Sequence, residues 1–493
     1  MKQVISILPN EFWWGGAVCD GACFPLSTHS EYKRDFTVNK TYNQLSGTFV
    51  STCGRYVFLS GEYTLETSNG VMVFSCSSEI VFEEGFGDLK GAVTAVAKRY
   101  SIEPIMDRKA VTNPQYCTWM EMLKNPTQDK ILTYAQSILD AGMPAGTLII
   151  DDGWMRAFGD WRFNDAFENP KETVNRLHEL GFTVVLWLVP FVDASAVSLW
   201  RENAFVHDGS GKLAVRTWWN GASYVLDMTS ESAKVELQRQ LQNLTNMGID
   251  GFKFDGGDAM YYRVDDKTAE SVTPNEQSRL WAEFALDYRY AELRACVGLQ
   301  GRRLVQRLCD KDIAWSGGLD ALIPDMIQAG LSGYPYICPD MIGGGQSDDS
   351  QKATNEDWYI RSVQCVCLSP MWQFSRAIWN VSPRVKAAVL DCANLREKVM
   401  PHILRATELA ALHGEPILRP MCYNFAGQGL EKITDQFMIG ESVLVAPIVT
   451  PRSFTHRVVL PAGANWKSIS DGKVYSGGQT VTAGDLPCFM RIE

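Results

Sequence analysis

Apolar and polar positions alternate on two periods along this chain. In the middle of the sequence, short unbroken apolar runs take turns with longer stretches whose apolar residues recur every three or four positions. Thr147–Ile150 is such a run and closes on Asp151-Asp152-Gly153. Thr183–Phe191 (TVVLWLVPF) is another, and a well-marked helix precedes it. That helix has Asn169 as cap, Pro170 at the first position, Val174, Leu177 and Leu180 on one stripe, and Gly181 as the stop. Gly248–Asp258 (GIDGFKFDGGD) follows a helical pattern over about 229–247. Tyr116–Trp119, Arg294–Val297, Asp312–Ser316, Tyr334–Asp340 and Met371–Arg376 are further candidate strands. Eight strands with intervening helices predict an α/β fold, a (β/α)8 TIM barrel with insertions, over 109–412. A doubly wound sheet is the alternative, but no GxGxxG follows a first strand, and Gly343-Gly344-Gly345 reads as a loop.

Both flanks read as β. Residues 1–108 carry Arg55–Leu59, Val71–Ser75 and Glu79–Phe82 with a turn at Ser68-Asn69-Gly70, which predicts an N-terminal β-sandwich. Residues 413–493 carry Gln436–Ile448 and Arg457–Pro461, then turns at Asp471-Gly472 and Gly477-Gly478, which predicts a small C-terminal β-sandwich.

Composition narrows the function. The 493 residues hold 46 basic and 57 acidic side chains, a net charge of -11, so a nucleic-acid backbone is not the expected partner. No apolar run is long enough to span a membrane, and the N-terminus lacks the apolar core of a signal peptide. The 13 Cys show no CxxC spacing, which predicts free thiols and a cytoplasmic location rather than a disulfide framework or a zinc site. No cofactor is implied, and nothing demands a homo-oligomer. The 15 Trp suit stacking on sugars, though large cores also use them.

Candidate chemistry lies where the strand runs end. One delivers Asp151 and Asp152, another Trp187, another Lys253, Asp255 and Asp258, another Asp340. The strand ends of a barrel converge on one pocket, so these side chains are expected to meet. One Asp after a strand is ordinarily a helix cap. Repetition over several strands points instead to function, because gathering carboxylates costs free energy. Divalent-metal binding and carboxylate chemistry on a glycosidic bond both fit. Lys253 shares a strand face with Asp255 and would keep it ionised, which suits a nucleophile and would repel a metal. The six His stand in no such cluster. Asp258 reads as a cap or loop contact, and Arg302, Arg303 and Arg307 as surface or loop ion-pair partners.

At these residues the sequence resembles glycoside hydrolase family 31. The segments that carry the resemblance run through most of the chain: Trp14-Gly15-Gly16-Ala17, Cys117-Thr118-Trp119, Ile150-Asp151-Asp152, Leu186-Trp187, Trp218-Trp219-Asn220-Gly221, Phe252-Lys253-Phe254-Asp255, Asp310-Lys311-Asp312, Gly333-Tyr334-Pro335, Pro339-Asp340-Met341 and Val445-Ala446-Pro447. The most similar branch includes α-galactosidase-type activities. The resemblance implies a retaining exo-α-glycosidase acting on a small glycoside, with Asp255 as nucleophile and Asp310 as general acid/base. It also implies Arg294, Asp151, Asp152 and Lys253 as substrate contacts, and Trp119, Trp187, Trp219 and Asp340 as pocket walls. Asp312 is the rival to Asp310 and otherwise a loop hydrogen-bonder. The chain departs from α-glucosidase-type members at Gly256-Gly257-Asp258, at Cys309-Asp310-Lys311, and in lacking a His within Met371–Trp379. These departures argue against a plain α-glucosidase and for α-galactosides, with an α-glucosidase or other α-glycosidase of the same family, or a catalytically silent sugar-binding barrel, as the alternatives.

Overall fold

The computed structural model describes residues 1–105, 107–346 and 355–492. Its centre is an eight-stranded parallel sheet. The strands are β1 (Gln115–Cys117), β2 (Thr147–Ile150), β3 (Thr183–Leu188), β4 (Gly251–Phe254), β5 (Tyr290–Leu293), β6 (Val305–Arg307), β7 (Ile337–Cys338) and β8 (Gln373–Phe374). They neighbour one another in the order β7-β6-β5-β4-β3-β2-β1-β8. A parallel bridge between Ile342, just beyond β7, and Phe374 of β8 closes the ring. This is the (β/α)8 barrel the periodicity predicts.

β2, β3 and β4 are wholly buried apolar runs apart from Thr147, Thr183 and Lys253, as parallel strands covered on both faces must be. The helix Glu231–Met247 between β3 and β4 starts on Ser230, whose side chain accepts from the Ala233 amide. It stops at Gly248, whose φ of 113° few residues other than glycine adopt. The helix Pro170–Glu179 starts with proline as expected, but Asn169 bonds Glu172 rather than a helix amide.

Four strand expectations need correction. β1 ends at Cys117, and Trp119 opens a helical turn instead of closing a strand. β5 is Tyr290–Leu293, so Arg294 sits just past its end rather than beginning a strand. β6 is Val305–Arg307, whereas Asp312–Ser316 runs into a helical turn over Trp315–Leu319. In the C-terminal zone, Gln436–Ile448 is a hairpin of Phe437–Ile439 and Val443–Val445.

Two four-stranded antiparallel sheets form the N-terminal unit. They face each other through Phe49 of one and Tyr63 and Phe74 of the other, with ring centroids 6.0 and 5.0 Å apart. After the long helix Pro383–His413, capped by Gly414, comes a six-stranded sheet and a two-stranded ribbon. All 13 Cys are unbridged. Among the described residues no helix is long and apolar enough to cross a membrane.

Candidate active site

The C-terminal ends of the barrel strands enclose a cavity of about 430 Å³. Its wall is assembled from distant pieces of chain. Asp151 and Asp152 follow β2, Trp187 lies in β3, Lys253 in β4 with Asp255 just after it, Arg294 follows β5, and Arg307 with Asp310 end β6. Trp219 arrives on the turn of an antiparallel insertion between β3 and β4, joining Val215–Trp218 to Gly221–Val225. Thr41 and Tyr42 come from the N-terminal unit.

Asp255 is held from three sides. The Trp187 indole donates to its Oδ2 at 2.9 Å, Arg294 Nε donates to Oδ1 at 3.0 Å, and the Gly256 amide donates to Oδ1 at 2.9 Å. Burial alone would raise this carboxyl. The charges of Arg294, then Lys253 and Arg307, outweigh it and hold Asp255 well below the usual carboxylate range. The chain leaves Asp255 through Gly256 and Gly257, at φ of 60° and 70°. A Cβ on Gly257 would lie 2.2 Å from the Trp281 ring, so no larger residue fits that turn.

Lys253 and Asp151 form a buried pair at 2.7 Å, and the Cys117 thiol donates to the same carboxylate oxygen at 3.1 Å. Burial would lower the ammonium's pKa, but the Asp151 charge carries it above its ordinary value. Asp152 points elsewhere and accepts from Asn220 Nδ2 at 2.9 Å. Burial, then the neighbouring Asp151 charge, pushes Asp152 up to about 6. Among the described residues no three His, Cys, Asp or Glu side chains stand together as a metal ligand set.

Arg294 is a hub. Besides Asp255 it donates through Nη2 to Asp258 at 2.8 Å and through Nη1 to the Tyr42 carbonyl at 2.9 Å, and Trp219 lies 5.2 Å from its guanidinium. Asp258 is thus an anchor for Arg294 in the loop. Trp219 is about half exposed at the rim. Trp119 crosses to the opposite wall, its indole donating to the Gly345 carbonyl at 2.8 Å.

Arg307 corrects the surface role expected of it. It is 1% exposed, and Nη1 reaches Asp310 Oδ1 at 2.5 Å and Asp340 Oδ1 at 3.8 Å, while Nε faces Glu292 at 3.5 Å. Arg302 and Arg303 do pair as loop residues, both with Glu103. Burial would raise Asp310, but Arg307 and then Arg294 bring it below the ordinary value. Asp312 is exposed and off the cavity.

Asp340 also needs correction. It is not part of the cavity wall but stands behind Arg307, accepting from the Lys311 amide at 2.6 Å and the Met341 amide at 2.7 Å. Burial, then the Asp310 charge, pushes it up to about 7. Gly345 is required on the far side, because a Cβ there would lie 2.7 Å from Asp310 Cγ. Sequence reasoning missed Arg307, Thr41 and Tyr42. For Arg307 the signal was present, three residues before Asp310. For the other two, contacts some 250 residues away in sequence leave no local trace.

Two family models match. The glycosyl hydrolases family 31 TIM-barrel domain covers residues 109–406, and the glycosyl hydrolase family 31 C-terminal domain covers residues 414–493. The myogenesis-regulating glycosidase of Mus musculus is 32% identical over 393 residues, which is 76% of this chain and 55% of that protein. Alpha-glucosidase 2 of Bacillus thermoamyloliquefaciens is 23% identical, over 74% of this chain and 50% of its own. This chain therefore spans about half the length of these relatives. The structure of a Flavobacterium johnsoniae GH31 dextranase complexed with glucose superposes with a TM-score of 0.86 at 19% identity, covering 99% of this chain and 66% of that one. That likeness extends through the flanking β units as well as the barrel.

Proposed function

The chain belongs to glycosyl hydrolase family 31, and on that premise we propose that it is an exo-acting retaining α-glycosidase that releases a terminal α-linked sugar, α-galactosides first among them. In this reading Asp255 attacks the anomeric carbon as the glycosidic C–O bond breaks, and protonated Asp310 gives its proton to the leaving oxygen. Water then attacks the glycosyl-enzyme, gives its proton to Asp310, and Asp255 leaves with its electron pair.

One observation supports this above the others. A buried carboxylate held low by Arg294 and Lys253 shares one cavity with a second carboxyl two strands away. A nucleophile needs the first, and a proton donor needs the second. Asp151, Asp152 and Lys253 then offer acceptors and a cation to sugar hydroxyls, and Trp119 and Trp219 offer apolar faces. The galacto preference rests on the branch resemblance and on the absence of His among the described residues lining the cavity. Two observations support other readings. An alpha-glucosidase stands among the relatives, which favours a gluco substrate. Asp310 is tied to Arg307, which favours a pocket that binds sugar without cleaving it.

Hydrolysis of nitrophenyl α-galactoside, α-glucoside and α-xyloside separates the readings. The expected result is turnover led by the galactoside, a loss of at least about 10³-fold in Asp255→Ala and of at least about 10²-fold in Asp310→Ala. Preference for the glucoside moves the sugar assignment. Undiminished turnover in either variant refutes the residue roles. Calorimetric sugar binding without turnover on any glycoside establishes the silent barrel.

A further inference from the structure

The ladder between β5 and β6 is short. Glu292 pairs with Val305 and Leu293 with Gln306, and there it stops. The next register position would pair Arg294 with Arg307, the residues whose side chains hold Asp255 and Asp310. Two side-chain amides of the N-terminal unit fill this gap. Asn43 Nδ2 donates to the Arg294 carbonyl at 2.8 Å and to the Arg307 carbonyl at 3.2 Å. Gln44 Nε2 donates to the same two carbonyls at 3.1 and 2.9 Å, and to Leu293 at 3.3 Å. Both residues are fully buried. Their own segment is pinned in turn. The Leu45 amide donates to Cys296, the Gly298 amide returns to Leu45, and the Val18 amide donates to the Gln44 carbonyl. Tyr42 beside them has φ of 55°, a left-handed conformation that a bulky residue adopts only where its surroundings impose it.

Buried carbonyls need donors, and a bound water or a longer ladder would meet that need as well. What is specific here is which carbonyls are bridged. We propose that Asn43 and Gln44 are positioning residues for the catalytic pair: by tying the end of β5 to the end of β6 they fix the Arg294–Asp255 and Arg307–Asp310 contacts relative to one another. The inference rests on the roles proposed above for Asp255 and Asp310. It makes the N-terminal unit part of the catalytic apparatus, although neither amide touches the cavity. A displacement of about 1 Å in such a constellation costs about 10²-fold in rate.

The test compares two leaving groups on the sugar that the wild type hydrolyses best. A dinitrophenyl glycoside departs with little help from an acid, whereas a methyl glycoside depends on it. Gln44→Met keeps the volume and leaves Asn43 bridging; Asn43→Ser is read in the same way. The ratio of kcat/KM values for the two substrates does not depend on how much of the preparation is folded. The expected result is a ratio at least about tenfold larger in the variants, because protonation by a displaced Asp310 suffers more than attack does. An unchanged ratio, with both rates lowered equally, assigns Asn43 and Gln44 to stability alone and overturns the proposal while leaving the proposed activity intact. A wild type that cleaves no α-glycoside removes the activity and this proposal together.

Discussion

Removing the Lys253 ammonium gives the sharpest stability test of the site. Lys253 Nζ lies 2.7 Å from Asp151 Oδ2, with 4% and 5% of the two side chains exposed. At an effective dielectric constant of about 20, such a pair gains about 6 kcal/mol of attraction, and desolvation of both ends takes back much of it. Lys253→Met fills nearly the same volume but leaves the Asp151 carboxylate buried with only the Cys117 thiol and the Asp152 amide as donors. The expected loss is about 3–5 kcal/mol, the cost of breaking a buried pair from one side. Asp151→Asn in the same chain removes the orphaned charge, so the double variant is expected to lose no more than about 2 kcal/mol. Urea unfolding followed by tryptophan fluorescence, on the wild type, both single variants and the double, closes the cycle. If Lys253→Met costs less than about 1 kcal/mol, or if the double variant loses the sum of the singles, the two groups are not an obligate buried pair. The reading of Lys253 and Asp151 as one buried ion pair then fails.

Two further outcomes follow from the charge arrangement. Arg307→Gln takes away the largest influence lowering Asp310, so the proton-bearing form of the acid persists to higher pH. The alkaline limb of kcat/KM is expected to move up by about 1–3 units, and an unmoved limb shows that Asp310 is not the group it reports. Asp152 is raised in the fold to about 6, so its contribution to stability is full below the unfolded carboxylate value and is lost as pH rises through about 6. Asp152→Asn is therefore expected to be more stable than the wild type at pH 7–8, by about 1–3 kcal/mol, and to lose that advantage near pH 4. Melting temperatures at the two pH values check this, and an equal effect at both refutes it.

The barrel was legible where its strands are apolar throughout. β2 and β3 announce themselves as buried runs, and each ends on the residues that enter the cavity. β5 and β6 were misplaced because their inward positions are polar. Glu292 accepts from Tyr290 and Gln373 and faces Arg307, so the interior at this level is a hydrogen-bonded network rather than a layer of Val and Leu. A periodicity search passes over such strands and takes nearby apolar residues instead. Arg307 was lost for the same reason. Beside Arg302 and Arg303 it looks like one of three surface cations, yet those two pair with Glu103 before β6 begins while Arg307 ends the strand.

Lys253, Arg294 and Arg307 are each buried, and each stands between carboxylates: Asp151 and Asp255 near the first, Asp255 and Asp258 at the second, Asp310, Asp340 and Glu292 around the third. Three cations cannot neutralise every acid in contact with them. Burial holds Asp152, Asp258 and Asp340 above the ordinary carboxylate value, Asp152 at about 6 and Asp340 at about 7, and Asp258 is among them although Arg294 bonds it directly. The carboxylates with a direct guanidinium contact inside the cavity, Asp255 and Asp310, are the ones brought down. For the proposed mechanism this supplies an ionised nucleophile. In the proposed mechanism Asp310 has to take up its proton against Arg307, which orients it and holds it below its ordinary value. In that mechanism a bound sugar sets a neutral glycosidic oxygen against Asp310 and shields it from solvent, and both changes favour the protonated form. In the proposed mechanism Arg307 therefore governs when Asp310 donates, and the Arg307→Gln pH profile and the leaving-group ratio of the Gln44→Met variant examine that control from its charge and from its geometry.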